Sequence, residues 1–290
     1  MLNTISWNVC APYIAGAVAL IAGITSAAKK ISNSRGIDRI SIFGPIFLAV
    51  AMSVFGVDHF VFYNSVVAMI PAWIPWHLFW AFFVGMCLVA CALSLVLRKY
   101  AILATALFAA MLFLFVLLIH LPKVVQAPHD RFAWTLALRD LAFGAGTLCF
   151  AAAHAPQRLA GYAKNVLTPA RFVMGVATLF FAIEHFLHPE FRPGVPLKQL
   201  TPLWVPVRVP LAYFTGVILL MAGLAFICNM RTEFAATGLG LVVFLLVLFL
   251  YVPIVIAKPL AIGSGLNALA DMLLFSGSIL CFAKSQRDGV

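Results

Sequence analysis

The chain has 290 residues, 64% of them hydrophobic and 10% charged, with a mean hydropathy of +1.08. A soluble domain cannot hide that much apolar surface, so much of it must face lipid. The net charge of +10 would point to nucleic acid in a soluble protein. Here Lys and Arg fall between apolar stretches, which fits membrane orientation and anionic headgroups and argues against a nucleic-acid partner.

Nine apolar stretches are long enough to cross a bilayer: 8–28, 41–60, 76–97, 100–120, 133–154, 169–187, 207–229, 234–256 and 264–284. None alternates like a strand, and lipid leaves no partner for open backbone groups, so all nine read as helices. The first has no Lys or Arg before it, and Lys29 and Lys30 follow it. That charge order predicts a retained helix rather than a cleaved leader. With the N-terminus outside, twelve of the nineteen basic residues fall on the inner side, which predicts a cytoplasmic C-terminus and an inner-membrane location. The six cysteines form no metal-ligand spacing and read as small apolar residues.

The sequence also repeats at a shift of 131 residues. Pro71, Trp73 and Pro75 coincide with Pro202, Trp204 and Pro206. Gly85, Pro122, Asp140 and Gly146 coincide with Gly216, Pro253, Asp271 and Gly277. Near the first helix end the register slips by five, so that Phe55-Gly-Val-Asp-His-Phe60 matches Phe181-Ala-Ile-Glu-His-Phe186. The slip predicts a longer outer loop in the second half.

Four spans per copy return the chain to the same side, so the copies are parallel. The expected fold is all-α: a polytopic transmembrane bundle of about nine helices, with two parallel four-helix repeats and one N-terminal helix. The expected divisions are 1–40 (first helix and basic loop), 41–155 (first repeat), 156–168 (cytoplasmic linker) and 169–290 (second repeat). Each repeat is expected to form an antiparallel bundle, the two lying side by side.

A helix ending Phe-x-x-(Asp/Glu)-His-Phe, a loop with Pro-x-Trp-x-Pro, a Gly-containing second helix, a third closing on Leu-Pro or Val-Pro and a fourth with a buried Asp resemble the DoxX-like family of membrane proteins. The resemblance covers about 40–155 and 169–286 and leaves the first helix unexplained. It implies a four-helix membrane unit, and some relatives serve as the membrane subunit of a quinone-linked oxidoreductase. The soluble partner that would carry sulfur chemistry has no counterpart in this sequence.

Charged groups inside a bilayer are costly and therefore candidates for function. Asp58, Asp140, Glu184 and Asp271 all fall in the outer half of the bilayer under this orientation, as do His59, His77, His120, His185, Arg139, Arg208 and Tyr251. The acids and the His59/His185 pair occur in both copies. His77 aligns with Arg208, His120 with Tyr251 and Arg139 with Ala270, so the copies differ there.

In a quinone-binding redox subunit, His59 or His120 would donate to a carbonyl. Asp58 or Asp140 would relay the proton, and Arg139 would steady the reduced anion. His77, Arg139, Glu184, His185, Arg208, Tyr251 and Asp271 would line the substrate site. Electrons would come from a periplasmic or membrane redox partner. In a variant, His59 and His185 are axial ligands of a haem b.

Structural readings stand beside these. Asp58-His59 and Glu184-His185 also suit helix ends, Asp140 and Asp271 also suit cross-bundle pairing, and the Trp loops suit interfacial anchors. Arg139 and Asp140 are adjacent and expected not to face each other, so each needs a cross-helix partner. The alternative function is a non-enzymatic scaffold, carrier or assembly factor with one outward-facing pocket. Self-association into a homo-oligomer fits either function.

Overall fold

The computed structural model describes residues 6–156 and 160–288. Arg158 lies outside them, as do the side chains of Lys164 and Arg287. Among the described residues, nine helices are long and apolar enough to span a bilayer. They are α1 (Trp7–Asn33), α2 (Gly36–Val61), α3 (His77–Val96), α4 (Ala101–Gln126), α5 (Arg131–Ala153), α6 (Ala160–Leu187), α7 (Arg208–Ile227), α8 (Thr232–Ala257) and α9 (Leu266–Asp288). The chain is a multi-pass, all-α membrane protein.

The boundaries differ from the sequence expectation where apolar content stops being informative. Helix α6 starts at 160 rather than 169 and runs through Pro169, so most of the expected linker is helical. Helix α4 continues past Pro122 to Gln126 because a π-helical turn, Val116–His120, absorbs the proline. A π turn widens the helix by one residue, and Pro122 then falls in the first turn of a new helical segment, where its missing N–H costs nothing.

The repeat is written into the backbone as well as the sequence. Helices α3 and α7 share bounds at the 131-residue shift, as do α4 and α8. The second π turn, Val247–Tyr251, is the shifted image of the first. Left-handed residues recur in pairs: Trp76 and Val207, Arg98 and Asn229, Tyr100 and Arg231. A positive φ is costly for a bulky side chain, and for β-branched Val207 above all. Its recurrence with unrelated side chains shows that tight turns into α3, α4, α7 and α8 demand it.

Each half contributes two tightly packed pairs: α2 with α3 and α4 with α5, then α6 with α7 and α8 with α9. The halves do not form two separate bundles side by side. Helix α2 closes on α9 of the other half, α6 closes on α5, and α5 and α9 pack on each other at the centre. Helix α1 lies against α2.

Backbone proximity makes this exchange feasible. A Cβ at Gly146 would sit 2.4 Å from the Ser278 carbonyl, and one at Gly277 would sit 2.9 Å from that of Gly44. Small residues permit such close crossings between membrane helices, where dispersion replaces the hydrophobic effect. Helix α9 is the innermost span, with 89% of its window buried, whereas α4 has 22%.

Helices α2, α4, α6 and α8 end at one face of the bundle, and α3, α5, α7 and α9 begin there. The 62–76 and 188–207 loops cover this long-loop face. At the opposite face, Arg171 donates to the last carbonyls of α7, including Ile227 at 3.2 Å, and so caps that helix.

Candidate functional site

Most of the sequence-selected polar residues gather at the long-loop face, along the seam between the halves. They form three groups, each spanning that seam.

The central group joins α4, α5 and α9. His120 Nε2 donates to Asp140 Oδ2 at 2.9 Å, and Arg139 Nε donates to Asp140 Oδ1 at 2.9 Å. The same guanidinium lies 3.2 Å from Asp271 Oδ1. Thus Arg139 does reach its sequence neighbour, contrary to expectation. Helical phase separates adjacent Cβ directions, but the Arg stem is long enough to fold back over one residue. Asp140 is then satisfied on both oxygens, while Asp271 Oδ2 has no hydrogen-bond partner among the described residues. The π turn places His120 toward α5, and its shifted counterpart Tyr251 points inward in the same way, donating to the Pro193 carbonyl at 3.0 Å.

The second group joins α5 and α6. The Arg131 guanidinium pairs with Glu184 and donates to the Pro196 carbonyl at 2.8 Å. It also lies over the Phe191 ring, 4.4 Å from its centroid. Arg131 was not among the expected site residues. The available signal was its position, at the start of a helix in the same layer as Glu184.

The third group joins α2 and α9. Asp58 is buried beside the Asn267 side chain. Among the described residues, neither Asp58 oxygen, nor the Asn267 side-chain oxygen, has a hydrogen-bond partner of normal geometry.

The five extra residues of the second half belong to a folded cap. Within 188–207, Phe191 and Leu200 form an antiparallel bridge, and Arg192 N–H donates to the Gln199 carbonyl at 2.9 Å. Gly194 N–H donates to His185 Nε2 at 2.9 Å, and His185 Nδ1 bonds the Phe181 carbonyl at 2.6 Å. Both ring nitrogens of His185 are therefore engaged, and it has none to offer a haem iron. His59, its counterpart, bonds the Phe55 carbonyl, at 2.7 Å, and no other group among the described residues.

Arg192 bonds the Gln199 side chain at 2.9 Å and the Ser264 carbonyl, and burial holds its guanidinium below the usual arginine range. A cavity of about 10 Å³, lined in part by Arg192, Gln199, Tyr251 and Asp271, remains under the cap. It is about the size of one water molecule.

His77 and Arg208 stand apart from these groups. His77 Nε2 bonds the Pro71 carbonyl at 3.1 Å and so pins the 62–76 loop. Arg208 heads α7, half-buried, in no ion pair among the described residues. At the opposite face an apolar cavity of about 230 Å³ opens between α2, α8 and α9, lined by Phe43, Phe47 and Phe244 with Arg39 beside them. No group of three or more His, Cys, Asp or Glu residues that could hold a metal ion occurs among the described residues. No protein-family model, curated protein or solved structure matches the chain.

Proposed function

We propose that the protein is a non-enzymatic membrane scaffold, carrier or assembly factor. It is a duplicated helical body that presents one polar face to a partner, in a cell membrane with that face outside the cytoplasm. The observation that supports this reading is how the buried charges are used. Arg139 holds Asp140 and Asp271 together across the seam, Arg131 pairs with Glu184 across it, and the cavity under the cap beside Asp271 has room for about one water. Charges paired in this way hold two halves in register; they leave little space for a substrate.

The test is purification from mild detergent with the co-purifying material analysed for proteins, quinone and haem together. A scaffold brings down a stoichiometric partner protein without quinone or haem, and Asp140→Asn lowers the abundance of that partner.

One observation favours a second reading, the quinone-linked redox subunit implied by the DoxX-like resemblance. His120 sits on α4, the least buried span, and is hydrogen-bonded to Asp140. His120 is itself buried, so a quinone entering from lipid would have to part α4 from α5 to reach this imidazole coupled to a carboxylate, which is a workable proton relay. Stoichiometric quinone, with turnover abolished in Asp140→Asn and folding intact, would establish this reading in place of the first.

A further inference from the structure

The two halves treat one buried acid differently. Glu184 on α6 and Asp58 on α2 are equivalent in the repeat, and each faces the fourth helix of the other half. Glu184 meets the Arg131 guanidinium there. The residue equivalent to Arg131 is Ile262, an apolar side chain just before α9. Asp58 is 5% exposed, and no cation replaces the missing arginine among the described residues. Its polar neighbour is Asn267, whose side-chain amide lies within reach of the carboxylate and whose side-chain oxygen has no partner among the described residues.

We propose that Asp58 and Asn267 bind one small monovalent cation, a proton or an alkali ion, at the α2–α9 seam.

Three arguments converge on this site. The fold itself supplies one positive charge at the equivalent position of the other half, as a fixed guanidinium. The buried atoms of these two side chains without a hydrogen-bond partner of normal geometry are all oxygens, two from a carboxylate and one from an amide, and such a donor set suits a hard cation once the Asn267 amide turns its oxygen toward Asp58. An isolated carboxylate buried in a membrane protein is costly, and one positive charge removes that cost. The first half also lacks the cap that engages His185, so His59 makes no contact equivalent to that with Gly194.

Other titratable groups near this face on helices packed against α2 are otherwise engaged or uncharged. Tyr13 on α1 donates to the Pro259 carbonyl, His77 on α3 bonds Pro71, and Asp271 on α9 faces Arg139. Cys10 on α1 is a free thiol. On α2 itself, His59 bonds Phe55.

The experiment is thermal unfolding of the purified full chain in detergent. One arm replaces choline by sodium at fixed ionic strength and pH. The other lowers pH in choline alone. A ligand bound only to the folded state raises the unfolding temperature as its concentration rises. The wild type is expected to respond in one arm, and the responding arm identifies the ion. Glu184→Gln keeps that response, because its acid had a fixed partner. Asp58→Asn loses it.

If Asp58→Asn does not fold, Asn267→Ala serves instead. Loss of one ligand oxygen shifts a sodium response to about tenfold higher concentration. A wild type indifferent in both arms, an Asp58→Asn variant that responds like the wild type, or an Asn267→Ala variant with an unshifted sodium response overturns the proposal.

Discussion

Asp140 and Asp271, equivalent residues of the two halves, share the guanidinium of Arg139 at the centre of the molecule. Removing that guanidinium leaves two carboxylates facing each other in a buried seam. Arg139→Met is therefore expected to lower stability by about 3–5 kcal/mol, the usual loss when one side of a buried ion pair is deleted. Denaturant unfolding in detergent micelles would show it. Arg139→Lys should recover only part, since an ammonium cannot hold two carboxylates in the planar fork geometry of a guanidinium. A lysine variant as stable as the wild type would mean that charge alone matters at this position.

Gly194 carries a φ of +116°, and a Cβ there would lie 2.1 Å from the Met272 methyl carbon. Both strain and contact oppose any side chain. Gly194→Val should unseat the 188–207 cap, with the backbone strain alone on the order of 1–3 kcal/mol. The readout is hydrogen exchange: amides of the cap should lose protection while those of α2 and α3 keep theirs. Uniform loss across the molecule would show that the cap is not a separate unit.

The Tyr251 hydroxyl ties the second π turn to the cap through Pro193. Tyr251→Phe keeps the ring and deletes one hydrogen bond, a net loss of about 1 kcal/mol. Limited proteolysis within 188–207 should quicken, and His120→Ala, in the other half, should leave that rate unchanged.

Gly146 sets the α5–α9 separation. Any side chain there meets the Ser278 backbone, which cannot rotate away. Gly146→Leu should push the central helices apart and abolish the monodisperse peak in size-exclusion chromatography. By contrast Gly161, around which a Cβ would meet open space, should accept alanine without effect.

Hydropathy located all nine helices, and Pro-x-Trp-x-Pro exposed the duplication, because both signals are local. The exchange of partners between halves was not legible. A membrane helix is apolar toward lipid and toward protein alike, so its sequence does not say which face meets which neighbour. That is why α2, expected in a bundle with its own repeat, packs on α9 of the other half as well as on α3. The four acids were legible because charge inside an apolar span is conspicuous. Arg131 and Asn267 were not, since each sits at a helix start where polar residues are ordinary. The fold of the cap was hidden for another reason: its bridge and its tie to His185 run from backbone N–H groups, which any residue supplies, and its side-chain bonds from Arg192 and Tyr251 go mostly to backbone carbonyls.

The position of Arg139 has a consequence for the chain as a single polypeptide. Its counterpart is Ala270, which has no exposed surface. Two identical four-helix subunits meeting at this seam would bring either two guanidinium groups or none to the paired aspartates. Both arrangements differ by one positive charge from the single arginine that the two aspartates share here. A fused tandem, unlike a pair of identical copies, can place a single arginine between the two aspartates, so covalent linkage here supplies an odd number where assembly of identical copies would enforce an even one.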